Sequence, residues 1–314
     1  MTLLIGTDEA GYGPNLGPLV VAASAWHVED DAAGAALAGR LAHATGAVAA
    51  AAGWRGPLWG DSKRIYQPGA GLAALESGVL ATLAESPPTG ADLAARLGSG
   101  GDPAAPPEWP RFLAACLPMA ADPPTVAGLA AAVATTLPRH GLRLDAVRCR
   151  IVHPATFNAL LAEGLNKSDI LSRTTLDLAA DLRAAWPDEP AEIWCDRHGG
   201  RKTYAALVGR HFGAALVRTI SETADLSRYE LPADRCRIEF AVGGEERIPV
   251  ALASMTAKYV RELAMAAFNA HWSSRQPGLA PTAGYPVDAR RWWGAAEATV
   301  REAGLDTAAI WRRA

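Results

Sequence analysis

The chain has 314 residues, half of them apolar and a fifth charged, with a formal charge of −3 and a mean hydropathy of +0.04. That length allows one large domain or two small ones with a substantial core, and the absence of any run of about 18 apolar residues excludes a membrane-spanning helix. A slightly acidic balance excludes a globally basic nucleic-acid binder, so a role of that kind has to rest on local patches. The opening MTLLIGTDEAGYG has no basic leader and does not read as a signal peptide. Cys116, Cys149, Cys195 and Cys236 stand far apart with no CxxC pair, which points to reduced, buried thiols and a cytoplasmic protein without a disulfide framework or zinc site.

Taken in chain order, Thr2–Asp8 reads as a buried strand that ends on an acidic pair, and Gly17–Trp26 as its antiparallel partner. Ala32–Ala52 and Leu72–Ala84 have helical composition. From about Glu85 to Pro124 the runs SPPTG, GSGGDPAAPPEWP and ADPP predict a loop-rich insertion, with an apolar island at Phe112–Leu117. Val126–Leu137 predicts a helix and Leu144–Val152 a strand. His153-Pro154 opens a helix, and a long amphipathic one runs over Lys167–Trp186 with Ser168 as its N-cap. Glu192–Asp196, Ala214–Ile220 and Arg235–Val242 read as strands. Pro249–Trp272 and Asp288–Ala303 close the chain as helices. Together these predict an α/β fold with a mixed sheet flanked by helices, organised as a single domain over residues 1–314. The 85–124 stretch is an insertion within it, and residues 249–314 form a C-terminal helical part.

Chemistry concentrates in Gly6-Thr7-Asp8-Glu9-Ala10-Gly11-Tyr12-Gly13-Pro14. A buried unpaired carboxylate is expensive, so an acidic pair at a strand end needs compensation, either a salt bridge or a hard divalent cation. Neighbouring strand residues face opposite ways, so Asp8 and Glu9 can share one site only where the strand ends or bends, which Gly11 and Gly13 permit. Asp196 ends a second strand. If the two strands are neighbours, the three carboxylates converge at one sheet edge, where ligand sites of open α/β sheets lie. Gly199-Gly200-Arg201-Lys202 is either a phosphate-binding turn or a surface loop.

The run from Asp8 to Ala23 resembles the opening motif of ribonuclease HII. Five further segments resemble that family in the same order: Asp61-Ser62-Lys63; Ile170 to Thr174; Cys195-Asp196; Glu245-Glu246 through Lys258; and Gly284-Tyr285-Pro286. The resemblance implies a ribonuclease H-like fold, a four-carboxylate site holding two Mg2+ or Mn2+ ions, and hydrolysis of a phosphodiester by in-line attack of water. Asp8, Glu9 and Asp196 transfer directly as catalytic and metal-binding residues. The family's fourth position is aspartate, and here Glu245 aligns with Glu246 as its competitor; a glutamate there is reminiscent of ribonuclease HIII. Substrate contacts are expected from Gly11, Tyr12, Gly13, Lys63, Arg201, Lys202 and Tyr285. The implied partner is nucleic acid, either an RNA–DNA hybrid or duplex DNA with an embedded ribonucleotide, bound by a monomer with no membrane attachment.

Two departures bear on substrate. The family's Gly-Arg-Gly is Gly11-Tyr12-Gly13 here, and its His-Lys before Gly-Tyr is Thr282-Ala283, so two positive positions are lost. This leaves room for another structured nucleic acid as substrate, or for a silent nucleic-acid-binding protein. Elsewhere, His198 reads as a proton-transfer group or a solvated loop histidine, at least one of Trp292 and Trp293 as core, and Arg312-Arg313 as a solvated tail.

Overall fold

The structure, a computed structural model, describes residues 1–29, 34–66, 69, 71–83, 85–99 and 104–313. Its centre is a seven-stranded sheet in the order β3-β2-β1-β4-β7-β6-β5. The strands are β1 (Thr2–Ala10), β2 (Leu19–Val28), β3 (Leu142–Val152), β4 (Ala191–Asp196), β5 (Arg218–Glu222), β6 (Leu226–Leu231) and β7 (Cys236–Ala241). β1 pairs parallel with β4, and β4 with β7, while the remaining pairs are antiparallel. The sheet is therefore mixed, as the sequence predicts. Around it lie α1 (Gly34–Ala51), α2 (Ser62–Ile65), α3 (Ala73–Leu80), α4 (Gly90–Arg96), α5 (Trp109–Leu113), α6 (Pro123–Thr136), α7 (Pro154–Ala162), α8 (Lys167–Ala184), α9 (Ala205–Phe212), α10 (Ile248–Arg275) and α11 (Pro286–Glu302).

The two faces of β1 sort its residues by parity, as a pleated strand must. Leu4 packs with Val20, Ala22 and Trp26 against α1, α3, α6 and α10. Leu3 and Ile5 pack with Val21 and Ala23 on the opposite face, against Phe157 of α7 and the buried side of α8. Burial on both faces explains why the strand reads as a continuous apolar run. Gly6 marks the closest helix–sheet approach: a Cβ there would stand 2.2 Å from the Pro249 carbonyl carbon of α10. Ser24, which pairs with Gly6 in the ladder, donates its hydroxyl to the Pro249 carbonyl at 2.8 Å. A third cluster joins the far half of α10 to α11 through Phe268, Trp272 and Trp292. Trp292 is thus core and Trp293 half-buried.

Several local expectations are corrected. α8 is capped by Asn166, not Ser168, in a reciprocal capping box with Asp169. β6 and α9 were not anticipated. The Pro/Gly-rich insertion carries two short helices, α4 and α5, and buries Trp109, Phe112 and Leu117. Three of the cysteines are buried but Cys116 is exposed. Residues 32–33 and 84 of the predicted helices, and 100–103 of the insertion, lie outside the described residues.

Candidate metal centre

β1 and β4 are neighbours, and their ladder stops at Thr7↔Cys195, while β1 stays paired with β2 as far as Ala10↔Val20. Asp8 and Glu9 therefore sit on a strand that has lost its partner on one side. Asp196, the next residue of β4, faces that gap. One oxygen from each of Asp8, Glu9 and Asp196 lies within 4.8 Å of the others. The strand itself continues through Asp8 to Ala10, so the bend comes later than expected, at Gly11, whose φ is +87°.

Few groups offset this negative charge. The Glu9 N–H donates to Asp8 Oδ1 at 2.7 Å, the Gly244 N–H donates to Asp196 Oδ1 at 2.9 Å, and Ser254 of α10 bonds the Asp8 side chain. Among the described residues no lysine or arginine forms a salt bridge with any of the three. Burial and the Asp196 charge push the Asp8 carboxyl up to about 7. Glu9 is raised by burial and by Asp8, and Asp196 by burial and by Glu245. Crowded carboxylates in a poorly compensated pocket are the donor set a hard divalent cation accepts. The residues fit the ions that the resemblance implies.

Glu245 sits on a 3-10 turn, Gly244–Glu246, directly after β7. It is half-buried and its charge acts on both Asp8 and Asp196, whereas Glu246 is exposed. Glu245 thus feels the cluster electrostatically, although it is not one of the three residues whose oxygens converge. Lys63 Nζ lies 3.9 Å from Glu245 Oε1, on a side chain 85% exposed. Its neighbour Ser62 touches Ser254 at 3.0 Å between hydroxyl oxygens. Sequence reasoning did not single out Ser254 or Ser62 as site residues, although both lie inside matched segments.

The glycine loop and the turn before α11 are stitched together. Asn15 and Leu16 N–H groups donate to the Gly284 carbonyl at 2.9 and 3.2 Å, and Tyr285, 52% exposed, stands beside Gly13. Tyr12 leans against Gly199, bonds Ser168 through its hydroxyl, and carries Lys167 Nζ 4.7 Å from its ring centroid. Arg201 is ion-paired with Asp169 and donates to Ser168 Oγ at 3.2 Å, so its charge is already engaged. Lys202 has an exposed side chain, and its carbonyl accepts from Ser227. Within the Gly199–Lys202 turn, Arg201 is thus braced against α8 while Lys202 faces outward.

His198 corrects both readings made of it. It is 2% exposed, bonded to Ser172 Oγ at 2.9 Å and wedged edge-on between Tyr204 and Phe240. Burial pulls its pKa down to about 3, so it stays neutral and structural. Arg312 is fully buried, contrary to the solvated tail expected.

The fold and site together are a mixed α/β sheet with three carboxylates converging at the ends of two central strands. No family model matches the chain, and no curated protein matches it in sequence. Among solved structures, ribonuclease HII of Archaeoglobus fulgidus, determined in complex with PCNA, is 15% identical with a TM-score of 0.46, aligning 99% of this chain with 94% of that one. Ribonuclease H2 of Pyrococcus horikoshii OT3 is 14% identical with a TM-score of 0.45, over 98% and 92% of the two chains. Bst ribonuclease HIII, in complex with Mn2+, is 14% identical with a TM-score of 0.43, and this chain spans 66% of its length.

Proposed function

We propose that this chain is a divalent-metal-dependent endonuclease of the ribonuclease H type 2 group, hydrolysing the RNA strand of RNA–DNA hybrids or the phosphodiester at a ribonucleotide embedded in duplex DNA. The observation that carries the reading is the convergence of Asp8, Glu9 and Asp196 at the open end of β1, within reach of the Glu245 charge. Asp8, Glu9 and Asp196 would hold divalent cations, which would supply Lewis-acid charge for hydrolysis of a phosphodiester. The protein's own part is positioning. Ser254 and the Gly244 N–H hold two of the carboxylates in place, so that with Glu9 they would bind the cations in a fixed geometry. Tyr285 and the Gly11–Gly13 loop line the rim where a sugar would rest. A cytoplasmic location is part of the same proposal.

The neutralised Arg201 and the loss of arginine at position 12 favour a second reading, in which the same site cuts another structured nucleic acid. One assay separates them. Labelled duplex DNA with a single ribonucleotide, an RNA–DNA hybrid and plain DNA are incubated with Mg2+ or Mn2+, with Asp196→Asn as control. Cleavage that needs both a ribose and Asp196 is expected; cleavage of plain DNA, or none at all, overturns the ribonuclease H reading.

A further inference from the structure

We infer that Arg312 is a positioning residue for the Gly11–Asn15 loop, and through that loop a determinant of how the site tells ribose from deoxyribose. Its side chain donates to the carbonyls of Gly11, at 2.6 Å, and Pro14. Its backbone N–H donates to the Asn15 carbonyl at 2.8 Å, and its own carbonyl accepts from Asn15 Nδ2 at 3.0 Å. Leu16 and Trp311 form an antiparallel bridge beside it. Asn158 of α7 fixes the segment from behind, donating to the Ala308 and Trp311 carbonyls and accepting from the Arg313 N–H. The chain thus returns some 300 residues later to grip the loop that follows its acidic pair.

Two consequences follow from that grip. A trans peptide is planar and its C=O and N–H point opposite ways, so tying the Gly11 carbonyl to a buried guanidinium fixes the Tyr12 N–H in the other direction. Among the described residues that N–H donates to no acceptor, and neither does the Gly13 N–H, so both are available to a ligand oxygen three or four residues from Glu9. The second consequence is charge. Arg312 stacks on the Phe157 ring, and its Nε and Nη1 meet no acceptor. Arg261 of α10, also buried, donates to the carbonyls of Leu16, Pro18 and Ala283. Neither of these, nor Lys167, forms an ion pair among the described residues. Buried polar groups of this kind are costly without compensation, and the positive potential they place behind the loop suits a polyanionic strand. In this chain it is supplied from beneath, where position 12 holds tyrosine.

The ribose arm of this inference rests on the nuclease reading; the positioning arm does not. The test uses the full chain with Arg312→Gln and Arg312→Lys. Amide exchange is followed at Asn15 and Leu16, whose N–H groups bond Gly284. Affinity is measured in Ca2+ for a duplex with one ribonucleotide and for its all-DNA twin, and the Mn2+-induced rise in melting temperature reports on the carboxylates. Arg312→Gln is expected to speed loop exchange at least about tenfold, lower duplex affinity, and cut the ribose preference roughly tenfold, with the Mn2+ response unchanged. Arg312→Lys keeps the charge, so overall affinity is retained while the preference still falls. Unchanged loop exchange in a folded Arg312→Gln, or in Arg312→Lys if the first does not fold, overturns the positioning role. Faster exchange with an undiminished ribose preference overturns the specificity role. If the wild-type protein shows no ribose preference, the nuclease reading fails, the specificity claim falls with it, and exchange alone decides the positioning claim.

Discussion

Two places in this molecule bury acid, and they do so in opposite ways. Glu76 of α3 is fully buried and accepts the N–H groups of Met119, Ala120 and Ala121 together with the Tyr259 hydroxyl, each within 2.8 Å. It fastens the end of the insertion to α3 and α10, and every demand of the carboxylate is met. At the open end of β1, three carboxylates crowd together and receive only scattered donors. Burial is common to both, so burial does not mark the functional group. What separates them is compensation: Glu76 is saturated with donors, whereas the three carboxylates at β1 are not.

Removing charge from each place should give opposite results, and this is the largest contrast. Asp196→Asn is expected to lower cleavage by about a thousandfold or more, roughly 4 kcal/mol in barrier, while leaving metal-free stability unchanged or higher. Glu76→Ala is expected to cost about 3–5 kcal/mol in urea unfolding, because three backbone N–H groups and a hydroxyl lose their acceptor. A stability loss in Asp196→Asn as large as that of Glu76→Ala would break the contrast. Next in size, Mg2+ or Mn2+ at a hundredfold excess over its dissociation constant should stabilise the wild type by about 2.7 kcal/mol. The gain should vanish in Asp8→Asn and persist in Glu76→Gln.

A third buried acid sharpens the comparison with a smaller effect. Glu108 is 6% exposed, its Oε2 meets no partner, and burial pushes its pKa up to about 7. Its folded value thus lies above the unfolded value, so the folded state holds the proton more tightly. The stability it contributes is present in full below about pH 4 and is lost as pH rises through 7. The expected loss is about 2 kcal/mol between pH 5 and 8. Replacing it by Gln should remove that share of the slope in denaturation series across pH; an unaltered slope would mean Glu108 is compensated after all.

Much of the architecture was legible because it is written locally. The apolar run of β1 ending in Asp8-Glu9, the proline in the first turn of α10, and the strand ending at Asp196 carry their meaning within a few residues. β6 was missed although Leu226–Leu231 alternates in burial, since Arg228 and Glu230 on its open face mask the pattern and pair with acids and bases only across the sheet. α9 hid behind Gly209. The candidate site divides in the same way. Three carboxylates could be named from their strands, whereas Glu245 and Glu246 share a turn after β7 whose shape no local pattern announces. Ser168 yields the cap to a local pattern, the Asn166 and Asp169 capping box, whereas the environment of His198 depends on Ser172, Tyr204 and Phe240, which only tertiary packing brings to it. Arg312 was least legible of all: its partners lie at the other end of the chain, and no spacing rule reaches that far.

The contact between Gly6 and Pro249 has a consequence for synthesis. Strand and helix meet with no room for a side chain, yet about 240 residues separate them, so the pair can form only after most of the polypeptide has left the ribosome. Ser254, which steadies Asp8, arrives with that same helix. A nascent chain halted anywhere before it would carry the acidic residues of β1 without Ser254 and without the helix that packs against their strand.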